Sequence, residues 1–476
     1  MVHHATGVSL IVRAARHLRW SAWLLPLAAV GLVVSMGATA TPVSAPPSAA
    51  ERAVAMGTSV GHSSSASFTS STSGAQDPPL RWGPPEKVAN KRSSEDFDGA
   101  RIVVRGDQAL AVWDRPVKGD PASIQLRASS RGVDGAWTPP RRITRVKAGF
   151  FGYYEAALGP GGSAIVVWSY GDDIGHVMEA HREGGSWSTP MRLGGDTAQA
   201  PRAVIDGKGD MTVAWTSYPN GSRVDVASRV AGGSWGAVQH LGRFSGDPSI
   251  AANLRGDVAV AWGTESGVGV AVRRHGQNWD TAHHLKSVIA YPDDPQVAIG
   301  PYGRVVVMWS RSTEEEETFT RRHLAWARTS FDGTWTRVWY LDTRRHVVYG
   351  SVPSLSLDGR GHALAVWWTD TGRGADMRAS RFHFGQGWSR PRELGGSCCS
   401  PVALLTTSRT ALALLDRNRR DTATIWGDQQ PGKRWEKHAL PGQLVTDADG
   451  YGNRMAMLYY GPHLTARTLT VPAPSQ

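Results

Sequence analysis

The sequence predicts an all-β fold, a β-propeller of four-stranded antiparallel blades, and three observations carry that prediction. A tryptophan closes a short apolar run again and again: Trp168, Trp215, Trp262 and Trp309 stand 47 residues apart. Trp113 and Trp368 extend the series at wider gaps. A fixed period of roughly 40–50 residues in strand-forming sequence marks a propeller or a similar array. A second tryptophan series (Trp137, Trp187, Trp235, Trp279, Trp335, Trp388 and Trp435) mostly follows glycine-bearing turns such as Gly184-Gly185-Ser186. Glycine there supplies the positive φ that tight hairpins demand. Finally, 54 Gly and 20 Trp among 476 residues, with 20% charged residues and no helical heptads, describe a turn-rich β composition.

In chain order, residues 1–45 read as an export signal. Arg13, Arg16 and Arg19 form a basic region, Trp23 to Met36 an apolar one, and Val43-Ser44-Ala45 or Ala38-Thr39-Ala40 a small-residue cleavage site. The alternative is an uncleaved anchor, because the apolar stretch is near the lower limit for spanning a bilayer. Cleavage predicts a secreted, extracellular protein with no membrane span left. Residues 46–79, rich in Ser, Ala, Thr, Gly and Pro, read as a flexible linker. Within them, Gly57-Thr58-Ser59-Val60-Gly61 matches a nucleophile elbow only in letters, because neither the strand nor the helix that an elbow needs flanks it.

The repeat occupies residues 80–470, with 471–476 as a tail. The unit at 201–241 shows it most plainly. Pro201–Ile205 is a first strand and Asp206-Gly207-Lys208-Gly209-Asp210 a tight turn. Met211–Trp215 is a second strand, Val224–Arg229 a third, and a fourth begins at Trp235. The apolar runs are nearly continuous, as expected where both faces of a strand pack against neighbouring blades. Two degenerate units, at Ala413-Leu414-Leu415 and Met457-Leu458-Tyr459, bring the expected number to eight blades, or seven if one of them is not a blade. The last unit lacks a fourth strand. Leu80 to Val88 resembles the fourth-strand segment Trp187 to Leu193, so the N-terminal strand is expected to close the ring and remove an open sheet edge.

These units resemble the bacterial neuraminidase repeat of the sialidase-like propellers. Ser330-Phe331-Asp332-Gly333-Thr334-Trp335 is a shortened form of that family's S-x-D-x-G-x-x-W box, and Asp134-Gly135-Ala136-Trp137 keeps its second half. The boxes are structural in the family. Its enzymes use an arginine trio, a tyrosine paired with glutamate, and an aspartate acid/base. The resemblance would make Ala100-Arg101-Ile102-Val103 the counterpart of the first-arginine motif Phe/Tyr-Arg-Ile-Pro, with both flanking positions different. Arg101 also aligns with Arg202 in the repeat. The activity so implied is exo-glycosidase, sialidase-like hydrolysis.

Candidate sites lie where loops depart from the repeat, at the mouth of a propeller channel. Phe151, Tyr153 and Tyr154 form an aromatic platform of the kind that stacks on sugars. Tyr170 with Asp172 and Asp173, and Tyr291 with Asp293 and Asp294, set paired carboxylates beside a tyrosine. Such pairs suit acid/base catalysis or a structural Ca2+ ion, or are ordinary turn chemistry. Cys398 and Cys399 are adjacent, their α-carbons about 3.8 Å apart, so the readings are a strained vicinal disulfide, free thiols or a metal site. Arg417 heads a basic run that suits a carboxylate or phosphate. No spacing matches an EF-hand or zinc motif, and no resident cofactor is expected. The net charge of +11 falls to +8 without residues 1–45, leaving 49 basic against 41 acidic residues scattered along the chain, which argues against nucleic-acid binding. The expectation is a monomer that recognises an extracellular glycan or protein, with sialidase-like hydrolysis as the alternative.

Overall fold

The computed structural model describes residues 82–471 except 91–98, 133–134, 148–150, 172–174, 219–221, 244–245, 287–291, 314–320, 330–332, 343–345, 348–352, 359, 371–374, 384–385, 396–401, 406–410, 418–421, 429–434, 440–443 and 461–462. No helix among these is long and apolar enough to cross a membrane.

Among the described residues, eight antiparallel sheets follow one another along the chain. The first holds Ala100–Arg105, Gln108–Val117, Asp120–Arg131 and Arg141–Lys147 in that order. The third repeats the pattern with Ala198–Ile205, Met211–Ser217, Arg223–Arg229 and Gln239–Arg243. The eighth contains Leu444–Tyr451, Arg454–Tyr460 and His463–Thr470, and its fourth strand is Glu86–Asn90 from the other end of the repeat. Glu86 pairs with Ala466 and Asn90 with His463, and Trp82 bridges Leu469. Each sheet is therefore an antiparallel meander of the kind that makes a propeller blade.

The first strand of each sheet touches the first strands of the sheets before and after it, and the eighth sheet's first strand touches the first sheet's. Hydrophobic burial follows this order. One cluster joins Ala456, Leu458 and Leu464 of the eighth sheet to Ile102 and Trp113 of the first. Another joins Ile165 and Val167 of the second to Met211 and Trp215 of the third. The core is thus a series of seams between sheets. Met211–Ser217 is buried along its whole length because it has a seam on each face.

The recurring tryptophans occupy these seams: Trp113, Trp168, Trp215, Trp262 and Trp309 are fully buried. In the sixth sheet the matching residue is Trp367, not Trp368 as the spacing suggested. Val366, just before Trp367, pairs with Ser354 as Val112, just before Trp113, pairs with Arg101. Trp367 is the fully buried one of the two. A doublet Trp-Trp fits the repeat in either register, and only the pairing decides that Trp367 enters the seam with the fifth sheet while Trp368 packs toward the seventh. The second tryptophan series sits at the far ends of the third strands, where Trp137, Trp235, Trp279 and Trp335 make single bridges to Arg131, Arg229, Arg273 and Thr329.

The turn between first and second strands is built alike in several sheets. Asp206 Oδ1 accepts hydrogen bonds from the backbone N–H groups of Lys208 (2.7 Å) and Asp210 (3.1 Å). Asn253 Oδ1 does so from Arg255 and Asp257, and Asp358 Oδ1 from Arg360 and His362. Gly209 (φ +93°) and Gly256 (φ +95°) take the left-handed conformation that lets the turn close.

Candidate functional site: a charged layer on the inner strands

The residue preceding each repeat-position aromatic (Tyr459 in the eighth sheet, with Leu415 in the aromatic's place in the seventh) pairs with one residue of the first strand, and these partners define a layer that runs from sheet to sheet. Leu458 pairs with Asp447, Val112 with Arg101, Val167 with Glu155, and Ala214 with Arg202. Ala261 pairs with Ser249, Met308 with Gln296, Val366 with Ser354, and Leu414 with Val402. The eighth, first, second and third sheets thus contribute alternating acid and base, and the fourth to seventh contribute only uncharged residues.

Part of this layer is structural. A first strand is a sheet edge with unpaired N–H groups, and an edge needs partners. Asp447 Oδ2 accepts from Ile102 N at 2.7 Å, Ser249 Oγ from Val297 N at 3.1 Å, and Ser354 Oγ from Ala403 N at 2.8 Å. Asp449 and Ser356, two residues further on, accept from Val104 N and Leu405 N in the same way. Among the described residues, only the seam between the eighth and first sheets uses carboxylates. Burial there pushes Asp447 up to about 7 and Asp449 up to about 6. The Arg101 charge and the Ile102 N–H pull Asp447 back down, and Glu155 raises both aspartates.

Arg101, Glu155 and Arg202 are half-buried and stand next to an exposed ring. Tyr153, two residues before Glu155, is 37% exposed and has two guanidiniums near its ring: Arg202 is 4.5 Å and Arg101 5.4 Å from the ring centroid. The Tyr153 hydroxyl donates to Glu155 Oε1, and Arg202 lies 3.7 Å from Asp247. The exposed part of such a ring and the neighbouring cations can meet a sugar and its anionic substituent at once.

Of the residues the sequence singled out, Arg101 and Tyr153 meet here. Tyr154 does not. Its side chain turns into the seam, where it is buried and its hydroxyl donates to Gly99 O and to Asp114 Oδ1 at 3.2 Å. Phe151 begins the second sheet's first strand opposite Tyr170, which ends the second strand. Asp293 and Asp294 fall on the fifth sheet's first strand, Pro292–Ile299, and Arg417 ends the strand Ala411–Arg417 in place of sitting in a loop. Asp172, Asp173, Tyr291, Cys398 and Cys399 lie outside the described residues. Sequence reasoning missed Glu155, Arg202, Asp447 and Asp449 as site residues. Aligning the first strands on the seam aromatics would have found the layer, since Arg101 and Arg202 already fall in one register.

No family model matches this chain, and no curated protein sequence does. Solved structures that it is similar to include a polysaccharide lyase, the PL25 ulvan lyase bound to a GlcA(1-4)Rha3S saccharide. That likeness is at 10% identity with a TM-score of 0.49, and covers 83% of this chain and 96% of that one. The fungal fucose lectin from Aleuria aurantia, described as a six-bladed β-propeller, is similar at 16% identity with a TM-score of 0.38, over 64% and 97% of the two chains. The NanB sialidase from Streptococcus pneumoniae is similar at 12% identity with a TM-score of 0.37, over 70% and 68%. At these identities no residue role passes from them to this chain.

Proposed function

We propose that this chain is a secreted, monomeric, eight-bladed β-propeller that recognises an anionic glycan at the layer formed by Asp447, Arg101, Glu155 and Arg202. The observation that carries this reading is the exposed Tyr153 ring close to both Arg101 and Arg202. The Arg202 guanidinium would meet a sugar carboxylate or sulfate, and the exposed part of the Tyr153 ring the sugar beside it. The layer stands on paired strands, so the site is rigid before ligand arrives and little ordering entropy is spent on binding. Residues 1–45 act as the export signal and 46–79 as a tether. The Glu86–Asn90 strand completes the last blade and joins the ring. Titration of the purified chain with uronate-bearing, sulfated and sialylated oligosaccharides tests the reading. Binding of one of them, weakened at least tenfold in Arg202→Ala, is the expected result. Equal binding of charged and neutral sugars, or of wild type and Arg202→Ala, overturns it.

A second reading, glycan processing, has one observation in its favour. Asp447 is a carboxyl that keeps its proton near neutral pH beside Arg101 and Glu155, which is what a general acid needs. Turnover of a fluorogenic sialoside or uronide that disappears in Asp447→Asn would establish it. A wild-type chain that binds such a substrate without turnover leaves recognition alone.

A further inference from the structure

The turn that follows the third sheet's first strand differs from its counterparts in one respect. In the fourth sheet, Asn253 Nδ2 donates to Asp257 Oδ2 at 2.9 Å, and in the sixth, Asp358 Oδ2 meets His362 Nδ1 at 2.9 Å. Both turns therefore set a donor against an acceptor four residues apart. The third sheet has two acids in these places, Asp206 and Asp210. Asp206 is only 1% exposed, and its Oδ2 is buried with no hydrogen-bond partner. A buried, unpaired carboxylate oxygen is costly and calls for a proton or a cation.

The fourth sheet brings a third group to the same place. His275, at the turn after the strand Gly267–Arg273, approaches Asp210 Oδ2 with its Nδ1 at 3.8 Å. One ligating atom from each of Asp206, Asp210 and His275 lies within 4.8 Å of the others. Asp210 Oδ1 is held by Ala231 N at 3.0 Å, which leaves Oδ2 for another partner. Arg273 attracts both carboxylates, but its Nη2 donates to Thr212 Oγ1 at 3.1 Å and leaves Asp206 Oδ2 unfilled.

We propose that Asp206, Asp210 and His275 bind one divalent transition-metal ion of the Zn2+ class across the seam between the third and fourth sheets. Two carboxylates and an imidazole suit such an ion, whereas Ca2+ and Mg2+ favour oxygen ligands throughout. Bond lengths of roughly 2.0–2.2 Å require the three atoms to close on the ion by about an ångström, and the exposed His275 side chain is free to make most of that movement. The ion would staple the turn that follows the Ala198–Ile205 strand to the neighbouring sheet, at the end of the strand that Arg202 precedes. The fourth ligand position is left to water.

The test titrates ZnCl2 into EDTA-stripped, dialysed full-length chain, with calorimetry and thermal melts as readouts. Wild type is expected to bind one more equivalent of Zn2+ than His275→Ala, and to melt several degrees higher with Zn2+, while the His275→Ala melt does not move. Asp206→Asn rebuilds the Asn253–Asp257 arrangement, so it should lose the equivalent of Zn2+ yet melt, metal-free, no lower than wild type. Equal Zn2+ stoichiometry and equal melting shifts in all three chains overturn the proposal. So does an upward shift in wild type with CaCl2 but not with ZnCl2.

Discussion

Two adjacent tyrosines show how much a single residue's direction decides. Strand alternation sends Tyr153 toward the guanidiniums of Arg101 and Arg202 and Tyr154 into the seam beside Gly99 and Asp114. Their substitutions should therefore separate. Tyr153→Ala is expected to weaken anionic-glycan binding about tenfold or more while changing stability by less than about 0.5 kcal/mol, as at other exposed positions. Tyr154→Phe should leave binding intact and cost about 1 kcal/mol through its lost hydrogen bonds. Calorimetric titration and urea denaturation of the two variants check this; a Tyr154→Phe chain that loses binding at wild-type stability would contradict it. The aromatic run Phe150 to Tyr154 was legible as unusual, but which ring is exposed was not, because the bulge between Phe151 and Tyr154 shifts the alternation.

At the scale of the element, the strand Leu444–Tyr451 carries the pH dependence. In an unfolded chain Asp447 has the ordinary aspartate value near 3.8, and in the folded chain it is pushed up to about 7. The folded state therefore holds this proton more tightly. Its contribution to stability is complete below about pH 4 and is lost as pH rises through 7. Asp447→Asn keeps an oxygen to accept from Ile102 N and removes the charge. The variant should be more stable than wild type at pH 8, on the order of 1–2 kcal/mol since water still reaches part of the carboxyl, and the two should converge toward pH 5. Denaturant midpoints at pH 5, 6.5 and 8 measure the difference, and parallel curves across that range would refute the assignment. The charged layer should also hold an anionic ligand more tightly at pH 6 than at pH 8, as Asp447 becomes neutral.

For the whole molecule, the strand Glu86–Asn90 ties the start of the repeat to its end. Besides its ladder with His463–Thr470, it presents Glu86 to the first sheet. Arg131 Nε and Nη2 donate to the two Glu86 oxygens at 2.7 and 3.0 Å, and Trp137 Nε1 donates to Oε2 at 2.8 Å. Glu86→Gln weakens this fork and should cost about 2 kcal/mol, in line with charge-assisted hydrogen bonds that are partly buried. A chain lacking residues 1–79 is expected to melt with the full-length protein. One lacking residues 1–90 should melt markedly lower and scatter light as concentration rises, because the His463–Thr470 edge is left open. Identical melts for the two truncations would show that the strand does not hold the eighth sheet.

Local chemistry made the fold readable. The 47-residue spacing, the glycines that close turns and the apolar runs buried on both faces are properties of short segments, so the sequence by itself determined strand, turn and repeat. It also pointed to a strand near Leu80 to Val88 in want of a sheet, and Glu86–Asn90 pairs with His463–Thr470. The site is another matter. Ile102 and Asp447 are 345 residues apart, and no local pattern marks them as hydrogen-bonded neighbours. Arg202, Glu155 and Arg101 become one layer only when adjacent first strands align, and His275 reaches Asp206 and Asp210 only across a seam. Trp367 and Trp368 are interchangeable by composition until strand pairing selects one. Tertiary structure decided these because seam packing sets the register between sheets, and register, not residue type, determines which charges meet.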